Sequence, residues 1–324
     1  DWGVVMMTKN IIISKIKEVK TLAILPHVSI DGDALGSSIA LAYAVKELGI
    51  EPVIYIEEEI PSSYGFLPGI EFTKVYQGEK ENYDLVLALD TGDTGRLGKR
   101  IDIFNAASYT INIDHHMTNT EFADLNYVQT SSSATGEIIY QFIKMMGIPL
   151  TKEISTCIYV AIATDTGGFR YSNTTSITHQ IISDLINNGV DVAEVSQLLF
   201  ETVSLSKTKL TGMAVQTLEI LENGKVAFIT VTESMIKDAD AKEEDCDGIV
   251  NIGRNIKGVE VAVLVREKEN ESYKINLRSK KYVDVSIIAN KLGGGGHKNA
   301  AGCTIEGNME DIKQILLKEI REVL

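Results

Sequence analysis

The sequence predicts an α/β protein of two domains: an N-terminal doubly wound, mostly parallel sheet, and a smaller C-terminal α/β domain. Three observations carry this. A chain of 324 residues is longer than one hydrophobic core usually supports. Short apolar runs alternate with stretches of helical period, and Leu85-Val86-Leu87-Ala88-Leu89 is apolar throughout, as in a strand buried on both faces. Charge is uneven: residues 1–206 carry 26 acidic against 13 basic side chains, residues 207–324 carry 19 against 18.

Composition excludes several classes. An apolar content of 44%, with 26 glycines and five prolines, fits an ordinary globular protein. No window holds the 18 or more apolar residues of a membrane span and no signal-peptide pattern opens the chain, so a soluble, cytoplasmic protein is expected. Cys157, Cys246 and Cys303 are far apart, which gives neither a disulfide framework nor a thiolate zinc site. A net charge of −14 opposes binding to long duplex DNA, which rests on neutralising phosphates with Lys and Arg.

In chain order, residues 1–7 show no clear period. Leu22 to Leu25 is a strand ending at Pro26, and Ala34 to Leu48 a helix stopped by Gly49. Between them His27, Asp31 and Asp33 lie on a loop at a strand's carboxyl end, where open α/β sheets put their sites. Asp33 as a plain helix N-cap is the competing reading. Strands follow at Pro52–Ile56 and Leu85–Leu89, the latter ending in Asp90; Asp93 reads as a helix cap, and Arg96 as either a phosphate contact or half of a surface ion pair. The strand Tyr109 to Ile113 delivers Asp114-His115-His116. Adjacent side chains at a strand's end should point to opposite faces, so one ring would ligate a metal and the other face a substrate. Ser131 to Ser133 read as the N-cap of a helix Glu137–Met146. The helix Ile154–Ala163 reaches Asp165, and Arg170 either orients that loop or touches substrate.

A helix Thr175–Asn188 closes the first domain, assigned to residues 8–189, with a connector at 190–206 and a second domain at 207–324. That domain reads as a helix to Leu221, strands Val226–Val231, Val259–Val265 and Tyr273–Leu277, and a helix Val285–Leu292. A glycine run Gly293 to Gly296 beside His297 follows, then a strand near Cys303 and a last helix. Consecutive glycines let a backbone approach a ligand and aim amides at an anion.

Four of the five histidines fall in these motifs; His179 is the exception and reads as structural. Carboxylate and imidazole donors without sulfur suit Mn²⁺, with Mg²⁺ or other divalent ions also compatible. Five or six ligands are too many for one ion that keeps open positions, so a two-metal site is the economical reading, with a single structural metal as the alternative.

His27-x-x-x-Asp31-x-Asp33-Ala34-x-Gly36-Ser37, Asp90, Asp114-His115-His116, Thr164-Asp165-Thr166-Gly167 and Gly294-Gly295-Gly296-His297-x-x-Ala300-Ala301-Gly302 together resemble the ordered motifs of DHH/DHHA1 phosphoesterases. The likeness covers roughly residues 20–305 and is nearest to the stand-alone nanoRNase and pAp-phosphatase type. It implies one Mn²⁺ on His27, Asp31 and Asp90, and a second on Asp33, Asp90, His115 and Asp165, with Asp90 bridging. Asp114 would fix a neighbouring ring, and His116 would face the scissile phosphoryl group. On that likeness two metals would lower the pKa of a shared water towards about 7, ready for in-line attack. Arg278, His297, the amides of Gly294, Gly295 and Gly296 and, less directly, Arg254 would hold the rest of the nucleotide in a cleft between the domains. Implied substrates are short single-stranded RNA, pAp, pApA or cyclic dinucleotides, and a homodimer is plausible on the same ground. Competing readings are an inorganic pyrophosphatase of the same superfamily, a RecJ-like exonuclease, which the acidic charge disfavours, and a nucleotide sensor without turnover.

Overall fold

The computed structural model describes residues 2–269 and 271–324, the side chains of Trp2, Val4 and His297 excepted. Contacts divide the chain into two compact units, Asp1–Thr202 and Val203–Leu324.

The first unit opens with α1 (Trp2–Glu18), then β1 (Leu22–Pro26), α2 (Gly32–Glu47), β2 (Pro52–Ile56), β3 (Thr73–Val75) and β4 (Leu85–Leu89). It continues through α3 (Ile101–Ala106), β5 (Thr110–Asp114), β6 (Leu125–Val128), α4 (Thr135–Met146), α5 (Lys152–Asp165), α6 (Ser176–Asn187) and α7 (Val192–Ser196). Its six strands pair in parallel in the order β3-β2-β1-β4-β5-β6. Leu22–Pro26, Leu85–Leu89 and Thr110–Asp114 are buried along their whole length, as strands covered on both faces must be. The order reverses between β1 and β4, the switch point where a doubly wound sheet leaves a crevice at its carboxyl edge.

Three helices pack tightly on one face because glycines remove the side chains between them. A Cβ at Gly36 of α2 would stand 2.4 Å from the Cys157 carbonyl oxygen of α5, and one at Gly136 of α4 would stand 2.6 Å from Ala161 Cβ. This draws the first turns of α2 and α4 and the last turn of α5 together. Val190 and Val195 are buried in the same core and Leu199 packs against it, so most of the stretch 190–202 is part of this unit.

The second unit contains α8 (Leu205–Gln216), β7 (Glu219–Leu221), β8 (Val226–Val231), α9 (Glu233–Asp238), α10 (Ile249–Asn255) and β9 (Val261–Lys268), followed by β10 (Ser272–Ser279), α11 (Val285–Lys291), β11 (Gly295–His297), β12 (Ala300–Glu306) and α12 (Met309–Val323). The sheet order is β11-β12-β10-β9-β8-β7; β8 and β9 run parallel and the other pairs antiparallel. Val263, Ile275 and Leu277 face Ile312, Leu316 and Ile320 of α12, while Ala227, Ile229 and Leu264 belong to a separate core with Ile249 and Val250 of α10.

Several expectations need correction. The helix predicted to reach Leu221 ends at Gln216, and Glu219–Leu221 pairs with β8 as an edge strand. Residues 2–7, read as aperiodic, are helical; Ile12, Ile13 and Ile16 anchor that helix in the core. The glycine run is a β-hairpin arm, with Gly295, Gly296 and His297 paired to Gly302, Ala301 and Ala300. No described helix is long and apolar enough to cross a membrane.

Candidate active site and metal centre

His27 follows β1 and Asp90 follows β4, so the switch point carries one imidazole and one carboxylate side by side. Asp90 turns the chain with φ 55°, a left-handed conformation that aspartate tolerates better than most residues. The helix α2 begins two residues before the predicted start, which corrects the reading of Asp33 as its cap. Asp31 is the N-cap, accepting from the Ala34 amide at 3.0 Å. Asp33, one residue into the helix, is turned inward and only 1% exposed. Its two oxygens accept from the Thr135 and Gly136 amides at 2.7 and 2.9 Å, so Asp33 caps α4 from another element. Ser131 to Ser133 therefore do not cap α4: its N-cap residue is Ala134, and Ser133 Oγ donates to Glu137 at 2.6 Å.

The imidazoles and carboxylates converge. His27 Nε2 is 3.4 Å from Asp31 Oδ2 and 3.5 Å from Asp90 Oδ2. His115 Nε2 is 3.5 Å from the other Asp90 oxygen, 3.5 Å from Asp165 Oδ2 and 3.8 Å from Asp33 Oδ2. Asp90 thus presents one oxygen to each of two donor groups. Among the described residues, three sets have ligand atoms within 4.8 Å of one another: His27/Asp31/Asp90, Asp33/His115/Asp165 and Asp90/His115/His116. His27 Nδ1 lies 2.7 Å from the Val28 carbonyl and His115 Nδ1 3.3 Å from that of Ser132. A ring that donates from Nδ1 in this way turns the Nε2 lone pair to the cluster, the form in which imidazole binds a metal. Arg96 Nη2 also approaches His27 Nδ1, at 2.9 Å; that nitrogen serves Val28 when protonated and Arg96 when not.

The prediction that His115 and His116 diverge is not met, because the strand ends at Asp114 and the alternation ends with it. Their ring centroids are 4.7 Å apart and both approach Asp90 Oδ1. Their roles still differ. His116 Nδ1 is held at 2.7 Å by Asp114, which is itself fixed by the His115 amide at 2.8 Å and Asn119 Nδ2 at 2.6 Å.

Electrostatics follow from crowding carboxylates in a buried place. Burial, then the charges of Asp90, Asp165 and Asp31, push Asp33 well above the usual carboxylate range, against the pull of the Thr135 amide. Burial and Asp90 raise Asp165 to about 7 although His115 opposes it. Burial also disfavours charge on Asp90, but the His27 hydrogen bond and the surrounding imidazoles hold it below the usual range. Burial works against charged His27 and His116 too, yet Asp31 and Asp90 raise the first to about 10, and Asp114 and Asp90 raise the second to about 9. No lysine or arginine side chain ion-pairs with Asp31, Asp33, Asp90 or Asp165 among the described contacts. A cluster of this composition fits divalent cations, which would neutralise the acids that burial penalises.

The DHH family N-terminal domain matches residues 21–162, and the DHHA1 domain matches residues 223–324. The chain is 36% identical to the bifunctional oligoribonuclease and PAP phosphatase NrnA of Thermus thermophilus, over 92% of this chain and 88% of that one.

The chain belongs to the DHH/DHHA1 phosphoesterase family.

It is 29% identical to the protein of the same description in Bacillus subtilis, over 92% of this chain and 93% of that one. An exopolyphosphatase-related protein from Bacteroides fragilis has a crystal structure that superposes with a TM-score of 0.93 at 27% identity, covering 98% of this chain and 96% of that one.

All eight DHH-unit residues singled out from the sequence, His27, Asp31, Asp33, Asp90, Asp114, His115, His116 and Asp165, lie in or directly beside the cluster. Those of the DHHA1 unit form a separate arrangement. Arg278 on β10 registers with Ala300 on β12, which registers with His297 on β11, so the three backbones share one row. Arg278 also registers with Ala262, against which Gly253 of α10 packs, so Arg254 sits on a helix covering the same face. The His297 side chain lies outside the described residues. The glycines are used sterically, which changes the expectation that all their amides meet an anion: the Gly294 amide donates to the Ala289 carbonyl at 2.8 Å, and a Cβ there would stand 2.1 Å from the Gly302 oxygen.

Sequence reasoning missed Thr135 and Asn119. Thr135 Oγ1 donates to Asp90 at 2.9 Å, and Asn119 reaches Asp114, the Thr91 carbonyl and Asn112 Oδ1. The Thr135-Gly136 pair at a helix start was a signal for the first; nothing in the loop 117–121 marked the second. Arg170 Nε donates to the Gly167 carbonyl at 2.6 Å, so it orients the loop after Asp165.

Proposed function

We propose that this DHH phosphoesterase hydrolyses short oligoribonucleotides to mononucleotides and pAp to AMP and phosphate, using two divalent cations held by the carboxylate and imidazole cluster. The observation that carries the reading is Asp90, with one oxygen towards His27 and Asp31 and the other towards His115, Asp33 and Asp165. One ion would sit on His27, Asp31 and Asp90, the other on Asp33, Asp90, His115 and Asp165. Oxygen and imidazole donors favour Mn²⁺, with Mg²⁺ compatible. When bound, such ions supply an acidified water and charge neutralisation at the phosphoryl group.

The chain's own residues do the rest. Asp114 and Asn119 fix the His116 ring, and the Asp114 hydrogen bond raises its pKa, which favours the protonated form that a donor to a phosphoryl oxygen or leaving group requires. Thr135 and the first amides of α4 hold Asp90 and Asp33 in place. Arg278, His297, Arg254 and the glycine run Gly294, Gly295 and Gly296, the first of them through the close approach its missing side chain allows, would bind the remaining phosphate and sugar. Positioning a short substrate by its far end favours dinucleotides and other short chains over long strands. The names of the Thermus and Bacillus relatives support both substrate classes, and pApA or cyclic dinucleotides belong in the same assay.

The test is a substrate panel with Mn²⁺ and with Mg²⁺, read by product chromatography. Mononucleotides from RNA dimers to pentamers, or phosphate from pAp, are expected. Inactivity on all of these with both ions would overturn the proposal. Arg278→Ala should act mainly on KM.

A further inference from the structure

Directly after Asp165 the chain makes a tight loop through three left-handed residues, Gly167 (φ 58°), Gly168 (φ 67°) and Phe169 (φ 64°). Glycine adopts this conformation freely; phenylalanine does so only where its surroundings impose it. The loop is closed by the Gly168 amide on the Ala163 carbonyl at 2.7 Å, the Tyr171 amide on Thr166 at 3.0 Å and Asn173 Nδ2 on the Asp165 carbonyl at 3.1 Å. It sorts the aromatic side chains: Phe169 packs against Tyr159 with ring centroids 5.8 Å apart, while Tyr171 stays 46% exposed. The Tyr171 ring lies across Gly167 so closely that a Cβ there would come within 2.3 Å of it. Phe200, 43% exposed, stands 3.7 Å from where a Gly168 Cβ would be. The turn carrying Phe200 lies against the turn Ser62–Tyr64, and Tyr64 adjoins Asp31: burial and the Asp31 charge push its hydroxyl up to about 12. Tyr64 therefore lies beside Asp31, and Tyr171 is carried on the loop that leaves Asp165.

We propose that Tyr171, with Phe200 beside the adjoining glycine, is a stacking platform for a nucleobase of the substrate whose phosphate enters the neighbouring cluster. The proposal rests on the nucleotide reading above and adds the group that recognises the base. Residues 1–206 carry twice as many acids as bases, and Arg170 is engaged with Gly167, so this rim has little to offer a phosphate. A nucleobase presents an uncharged π face that an aromatic ring binds without regard to sequence. A ring seated on a glycine in a hydrogen-bonded loop loses little freedom when a base settles on it.

The test compares pAp with the corresponding 1-O-methyl ribose 3,5-bisphosphate, which has the same phosphates and no base. Steady-state kinetics are measured for the parent protein, Tyr171→Ala, Tyr171→Phe and Phe200→Ala with saturating Mn²⁺. The preference for pAp, as a ratio of kcat/KM values, should fall about tenfold in Tyr171→Ala, the size of a base–aromatic stack, with the change in KM. It should recover in Tyr171→Phe and fall less in Phe200→Ala. An unchanged ratio in Tyr171→Ala, or equal losses on both substrates, would overturn the platform, since a loop that merely needs the ring for packing would harm both alike. A parent protein inactive on pAp and on oligoribonucleotides would instead defeat the nucleotide reading itself, and the platform with it.

Discussion

The two units solve opposite problems. In the DHH unit, side chains from β1, α2, β4, β5 and α5 converge on Asp90, and the difficulty is electrostatic: buried acids packed within a few ångströms of one another. In the DHHA1 unit, one stretch of sequence folds back on itself, and the difficulty is steric: Gly294 lies under the Gly302 oxygen and Gly296 (φ 143°) under the Ala300 oxygen, where a side chain has no room. A polar site of the first kind tolerates isosteric changes structurally and loses chemistry. A glycine hairpin of the second kind loses structure first.

That contrast can be broken or sharpened by substitution. Asp90→Ala should lower kcat on the order of 10³-fold with far-UV circular dichroism retained, because it removes the carboxylate common to both donor groups; near-parental activity would sink the shared-carboxylate reading. Asp114→Asn should lower kcat about 10- to 100-fold, the usual effect of losing a residue that orients a site group. The same variant should move the alkaline limb of the pH profile to lower pH. The carboxylate raises His116, so its proton is retained to higher pH in the parent, and a limb that stays in place would remove His116 from the donor role.

On the steric side, Gly294→Ala should destabilise the protein by about 1–3 kcal/mol or more in urea unfolding, as overpacking does. Gly293→Ala should cost only about 1 kcal/mol, since Gly293 (φ 77°) meets nothing within 4 Å and suffers backbone strain alone. Equal losses would remove the close approach of the hairpin arms as the reason for the glycines.

The smallest expected effect is on thermal stability. Raised pKa values on Asp165 (about 7), His116 (about 9) and His27 (about 10) mean that the metal-free fold binds more protons than the unfolded chain as pH rises from about 4 to 10. These groups therefore withdraw stability across that window, while Asp90 and Asp114, held low, act in the opposite sense at acid pH. Bound cations need deprotonated ligands, so the rise in Tm on adding Mn²⁺ should be larger at pH 8.5 than at pH 5.5. A rise independent of pH would argue for binding elsewhere.

Much of the DHH unit was legible because chemistry and topology coincide in it. Apolar runs such as Leu85–Leu89 mark buried parallel strands, and the acids and histidines at their ends mark the carboxyl edge of the sheet. What escaped was set by tertiary contacts. The strand Leu125–Val128 is short and interrupted by Asn126, and its pairing with β5 makes it a strand. The hairpin arm Gly295–His297 has poor intrinsic strand preference and is held by pairing with β12. His115 and His116 are expected on opposite faces, but the strand ends at Asp114 and its alternation does not reach them. Thr135 acts on Asp90 across 45 residues, which no local pattern reports, and Asn119 reaches Asp114 through an irregular loop whose composition marks no site.

The central claim is that Asp90 is shared by two cations. Electron paramagnetic resonance of the protein loaded with Mn²⁺ tests it without reference to any substrate. A spin-coupled dinuclear signal saturating at two ions per chain, and replaced by that of isolated ions in Asp90→Ala, is the predicted result. Saturation at one ion, or an uncoupled six-line spectrum at full loading, would contradict it.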